Sequence, residues 1–256
     1  MKNSKWPRIF KPERAQLGVL RRDFTKGSSS NSTGVVVVGD VHGCADALYQ
    51  LVHKISLLPY APTVVFAGDL LDRGAQGPEV WDLVRTMCKT PEFFNVKETV
   101  VLRGNHEQMM LDANTPSLDR LYWKQMWRMN GGQDSDFEYI RRYSNTEVNW
   151  LRSLRFFYKH PSNVYFNSKA TKLLVTHASV LPRARGGDVS TQDPEYLLWE
   201  RNIAGYGLEW LTVHGHTIQR NAKPVLHSTL TGKVLMIDTG SFLTGVVTGV
   251  EFVDVV

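Results

Sequence analysis

Five short apolar runs, each closed by a glycine, an asparagine or a histidine within a few residues, limit the folds open to this chain. They lie at 35–38, 63–66, 99–102, 173–175 and 211–213 and are rich in β-branched residues. Runs of this length that are apolar on both faces suit strands buried inside a layered sheet. Between the early runs, 45–56 (ADALYQLVHKIS) and 78–88 carry helical spacing, so the order of elements predicts an α/β sheet. The residues after each run are as regular as the runs themselves. In turn come Gly39-Asp40-Val41-His42-Gly43, Gly68-Asp69-Leu70-Leu71-Asp72-Arg73-Gly74, Gly104-Asn105-His106-Glu107, His177, and Gly215-His216-Thr217. Each places an Asp, Asn or His just past the carboxyl end of a strand, where α/β sheets hold their ligands.

The chemistry of that set points to divalent metal. Carboxylate oxygen, amide oxygen and neutral imidazole nitrogen are the donors that borderline transition metals accept, and no thiolate is among them. With Asp40, His42, Asp69, Asn105, His177 and His216 converging, one carboxylate would be shared between two ions ~3.5 to 4 Å apart. The flanking glycines fit a backbone that turns sharply beside a bound anion. Nitrogen and oxygen donors admit manganese, iron or zinc.

Composition narrows the class further. With 256 residues, 42% of them hydrophobic, the chain can bury a sizeable core. No run approaches the ~18 apolar residues of a membrane-spanning helix, and no apolar block follows the charged N-terminus, so a cytoplasmic, membrane-free protein is expected. Cys44 and Cys88 are too few and too isolated for a disulfide framework. The formal charge of +5 is concentrated: residues 1–34 hold eight Lys or Arg against two acids, leaving the rest nearly neutral. That segment, with its two prolines and Ser-rich end, reads as a basic, flexible N-terminal extension, and 35–256 as one catalytic domain. A nucleic-acid-binding role would rest on this tail alone and is disfavoured.

GDxHG, GDxxDRG and GNHE all stand unbroken here, and together they resemble the calcineurin-like metallophosphoesterases, within them the phosphoprotein phosphatases. RGNHE with its QMM, the downstream Asn130-Gly131-Gly132 and the GHT segment are most similar to the small phage and bacterial members typified by the bacteriophage lambda serine/threonine protein phosphatase. The resemblance implies a four-layer α/β fold, a central β-sandwich flanked by helices with the metals at the carboxyl ends of the strands. It implies that Asp40, His42 and Asp69 hold one metal, and Asp69, Asn105, His177 and His216 the other, with manganese the first expectation. It also implies direct attack on phosphorus by a metal-bound hydroxide. The leaving alkoxide needs a proton, which His106 would give, oriented by Asp72; Arg73 and Arg201, with Asn105, would bind the phosphate.

The expected activity is therefore metal-dependent phosphomonoester hydrolysis, with phosphoprotein or phosphopeptide serine and threonine as substrate. Two alternatives stand beside it. Symmetrical diadenosine tetraphosphate hydrolases resemble the same scaffold but carry GNHD where this chain has Arg103 and Glu107 in RGNHE; a non-catalytic scaffold would have no need of all six ligands plus Asp72 and His106. Thr217 is followed by Ile218 where relatives have Pro. Glu107 reads as either a hydrogen-bonding partner of the site or the start of a helix, and Arg183 and Arg185 as anion contacts or a solvated loop. His53, His160 and His227 lie outside any motif and read as surface or structural histidines. His214 stays unassigned, because the glycine of the motif precedes His216. Trp123, Trp127 and Trp150 fall in a stretch from 117 to 155 that reads as helical core and cover.

Overall fold

The computed structural model describes residues 19–21, 33–143, 145–219 and 221–255. In chain order the elements are β1 (Val19–Arg21), β2 (Gly34–Val38), α1 (Ala45–Ser56), β3 (Thr63–Phe66), α2 (Gly77–Lys89), β4 (Glu98–Val101), α3 (Asn105–Asn114), α4 (Arg120–Met129), α5 (Asp134–Tyr143) and α6 (Asn145–Arg152). Next come β5 (Phe157–Lys159), β6 (Val164–Phe166), β7 (Lys169–Thr176), α7 (Arg183–Gly186), α8 (Pro194–Trp199), β8 (Trp210–His214), β9 (Val225–Thr229), β10 (Gly232–Met236), α9 (Ser241–Thr244) and β11 (Thr248–Val253). All five apolar runs lie in or against strands, and both expected helices form. The 99–102 run is shifted by one residue: β4 ends at Val101, and Leu102 bridges to Arg155.

Two sheets result. The first has the order β1-β11-β2-β3-β4, and the second β5-β7-β8-β10-β9 with β6 on β7. Within them β2, β3 and β4 run parallel, as do β7, β8 and β10. Alternate residues of a strand face opposite sides of its sheet, so a strand covered on both sides is apolar throughout, as β2 is. Val35, Val37, Val65 and Val100 face Leu173, Val175, Leu211, Val213 and Leu235 of the second sheet. Val36, Val38, Val64 and Phe66 face outward onto Leu48, Leu51 and Ile55 of α1 and Val80, Val84 and Met87 of α2. Each of these side chains contributes about 1.5–3 kcal/mol on burial. The outer face of the second sheet is covered in turn, by Val180, Val189, Leu197 and Tyr206 against Leu174 and Trp210. The result is a β-sandwich between helical layers, as expected.

The 117–155 stretch holds α4, α5 and α6, and α4 packs on α3. Of the basic segment 1–34, β1 lies parallel at the edge beside β11 and residues 33–34 lead into β2; the remainder of that expectation falls outside the described residues. No helix among the described residues is long and apolar enough to cross a membrane.

Candidate metal centre

Parallel strands aim their carboxyl ends at one edge, and the loops there bring the six candidate ligands together. His42, Asp69 and His106 form one group of donor atoms lying within 4.8 Å of one another, and Asp69, His177 and His216 form a second. Asp69 belongs to both. It sits at φ 52°, a left-handed conformation that a non-glycine residue adopts only when its surroundings hold it there. Glu107 does so from the first turn of α3. Its buried carboxylate accepts the N–H groups of Asp69 and Leu70, both at 2.8 Å, and of Gly104 at 2.9 Å. Asp69 in turn accepts the His106 N–H through Oδ1 at 3.0 Å. Gly104 is obligatory here, because a Cβ would collide with Asp69 Oδ1.

The second sheet closes on this loop cluster. Asp40, just past β2, accepts the His216 N–H through both carboxylate oxygens at 3.1 Å, which ties the two sheets together across the site. A Cβ on Gly215 would strike Asp40 Oδ1, so only glycine lets the loop after β8 approach this closely. His42, at φ 45°, donates Nδ1–H to Leu71 O at 3.0 Å, which leaves the Nε2 lone pair facing Asp69 Oδ2 at 3.5 Å. His177 donates Nδ1–H to Ala67 O at 2.9 Å, and its Nε2 faces Asn105 Oδ1 at 2.9 Å and Asp69 Oδ1 at 3.5 Å. His216 donates Nε2–H to Trp199 O at 3.3 Å, and its Nδ1 faces the same Asn105 oxygen at 2.9 Å.

These contacts test whether the residues fit a metal. Burial pushes His42 and His216 down to about 3 and lowers His177 as well, so the three imidazoles are neutral near pH 7. Their lone pairs therefore point at carboxylate and amide oxygens that also present lone pairs. A cation reconciles that arrangement, and neutral imidazole with oxygen is a donor set that divalent transition metals accept. Asp40 agrees: burial, together with Asp238 and Asp69, raises it well above the usual carboxylate range. The residues present fit a pair of divalent ions sharing Asp69.

His106 lies beside this centre, its ring edge-on to His42 with centroids 4.7 Å apart. Its Nδ1–H donates to Asp72 Oδ2 at 2.9 Å, and its Nε2 accepts from the Arg73 guanidinium at 3.1 Å. Burial alone would lower the proton affinity of His106, but Asp69 and the hydrogen-bonded Asp72 outweigh it and raise it. Asp72 also accepts the Trp127 indole N–H at 2.6 Å, and its own backbone N–H donates to buried Asp136 at 3.1 Å. Arg73, at φ 64°, donates its backbone N–H to Gly131 O at 2.9 Å and lies over the Phe242 ring at 4.6 Å. The Asn130-Gly131-Gly132 turn thus reaches the mouth of the site. Arg201 sits at another rim, donating to His216 O at 3.2 Å.

Other sequence expectations sort themselves by position. Arg183 and Arg185 are exposed on α7, and Arg103 turns away from the centre to Gln108 and Phe156. His160 is a satisfied structural histidine, paired with Asp254 at 2.6 Å. His53 is exposed, while Cys44 and Cys88 are half-buried and unbridged. Trp127 is buried against Asp72 and Trp150 stacks edge-on with Trp81, whereas Trp123 is exposed. Sequence reasoning missed Asp238, a buried carboxyl pushed up to about 6 by burial. Its signal was present: Leu235-Met236-Ile237 is another apolar run closed by Asp and, two residues on, Gly240. Phe242 carried no comparable mark.

Comparison with known proteins agrees with this geometry. The family model described as calcineurin-like phosphoesterase matches residues 34–236. Serine/threonine-protein phosphatase 1 of Salmonella typhimurium is 36% identical over 109 residues, covering 43% of this chain and 44% of that protein, less than half its length. Serine/threonine-protein phosphatase 2 of the same organism is 28% identical over 221 residues, covering 82% of the chain and 88% of the relative. The asymmetrical Bis(5'-nucleosyl)-tetraphosphatase PrpE of Halalkalibacterium halodurans is 26% identical over 245 residues, covering 86% of the chain and 90% of the relative.

Proposed function

The chain belongs to the calcineurin-like phosphoesterases, and on that premise we propose that it is a metal-dependent phosphomonoesterase acting on phosphoserine and phosphothreonine in proteins. Asp40, His42 and Asp69 would hold one ion, and Asp69, Asn105, His177 and His216 the other, with manganese the first candidate. When bound, two divalent ions neutralise phosphoryl charge and lower the pKa of a water toward neutrality. The remaining work falls to the chain's own side chains. Arg73 offers a guanidinium fork that matches phosphate oxygens, and a bound phosphate would draw it from His106 Nε2. That frees Nε2 to carry a proton and give it to the leaving oxygen, while Asp72 holds the ring through Nδ1–H. Arg201 would close on the phosphate from its own rim.

The observation that carries this reading is the His106–Asp72 pair at 2.9 Å beside the shared Asp69. A serine or threonine alkoxide is a strongly basic leaving group and needs an acid, whereas a nucleotide phosphate leaves without one. The dedicated proton donor supports the phosphomonoester. A second reading, hydrolysis of dinucleoside polyphosphates, is favoured by the extent of the match to the tetraphosphatase relative. The two separate in one experiment. Chelator-stripped protein reconstituted with manganese is given a phosphothreonine peptide and diadenosine tetraphosphate in parallel. Release of phosphate from the peptide is expected; cleavage of the dinucleotide alone would move the assignment to nucleotide hydrolysis.

A further inference from the structure

His214 is buried two residues before His216, and the mechanism above gives it no task. It lies at the end of β8 opposite Thr176 of β7, a register pair, and these two strands deliver His216 and His177. Thr176 Oγ1–H donates to Ala178 O at 2.7 Å, so its 2.7 Å contact with His214 Nδ1 has the imidazole N–H donating. Nε2 then carries a lone pair. His214 is 3% exposed and Ser179 4% exposed, and neither His214 Nε2 nor Ser179 Oγ has a hydrogen-bond partner among the described residues. Both residues line one cavity of ≈ 10 Å³, together with Arg201 and Thr217. That is room for a single water, which needs polar partners of this kind.

We propose that His214 is a positioning residue for the second metal. Its bond to Thr176 fixes the spacing of the strand ends that carry His177 and His216, and one buried water joins its Nε2 to Ser179 Oγ. Burying an imidazole at the end of a core strand is unfavourable unless both nitrogens are bonded, and this arrangement bonds both. The inference rests on His177 and His216 being ligands, as proposed above.

The test is calorimetric titration of manganese chloride into the chelator-stripped full chain, with thermal unfolding in chelator as the control for folding. Wild type should take two equivalents. Thr176→Val, which removes the hydroxyl at nearly constant shape, should weaken one equivalent by about 10–100-fold, the range for outer partners of metal ligands, and leave the other unchanged. Thr176→Ser should restore it, and His214→Leu should match Thr176→Val. Ser179→Ala should lose part of the same affinity; full affinity there would overturn the water's part. Unaltered binding by a folded Thr176→Val protein would overturn the positioning role. Fewer than two equivalents in wild type would overturn the dinuclear reading, and this inference with it.

Discussion

The two sheets supply the two halves of the centre by different means. On the first sheet, Asp40, His42, Asp69, Asp72 and Arg73 sit in loops shaped by backbone, four of them at positive φ (His42, Asp69, Asp72 and Arg73), and Asn105 and His106 open α3. Glu107 pins that backbone through three N–H groups. On the second sheet, His177 and His216 are single residues past strand ends, only His216 at positive φ (62°), and they are steadied by the Thr176–His214 contact and by Gly215 N–H donating to His177 O at 2.9 Å. A strained loop demands particular residues over several consecutive positions, so it leaves a motif. A strand end held by side chains from its neighbour demands little more than the ligand, here with Gly215 before His216.

Asp69 is the residue both halves share, so altering it should injure them together. Asp69→Asn should weaken both metal equivalents, by more than the 10–100-fold typical of an outer partner, and lower turnover with them; metal analysis alongside phosphate release checks this. His106→Asn belongs to the first sheet alone. It should leave metal content intact and lower turnover by ~10² or more, since proton donation is worth 10²–10⁴-fold. Unchanged turnover would remove His106 from the chemistry. Asp72→Asn tests the same proton by its pH dependence. Asp72 raises the proton affinity of His106, and an acid works only while protonated, so activity should fall as pH rises through the raised value. Removing the carboxylate should move that alkaline limb to lower pH in the profile of turnover. The smallest effect belongs to the loop scaffold: Glu107→Gln sets an amide N–H against backbone donors and should cost about 1–3 kcal/mol in denaturant unfolding.

The same contrast explains what could be read from the sequence. The strands were legible because both faces of β2 and β3 are buried, so Val35 to Val38 are apolar without a break. The candidate ligands of the first sheet were legible because their loops are continuous motifs. Trp127 was visible as an aromatic, but its bond to Asp72 crosses 55 residues and depends on how α4 packs. Asp136 and Phe242 reach the Asp72–Arg73 turn from elements farther along the chain. His214 carries no motif glycine of its own, and its contact with Thr176 exists only once β7 and β8 pair. Glu107 reads from sequence as a helix start or a site contact, and it is both.

A shared carboxylate has a spectroscopic signature, the electron paramagnetic resonance spectrum of the chain loaded with two equivalents of manganese. Two ions bridged by Asp69 at ~3.5 to 4 Å should be exchange-coupled in wild type, and the coupling should be lost in Asp69→Asn. An uncoupled spectrum from the fully loaded wild type, or coupling that survives in Asp69→Asn, would contradict a centre built by two sheets around one shared carboxylate.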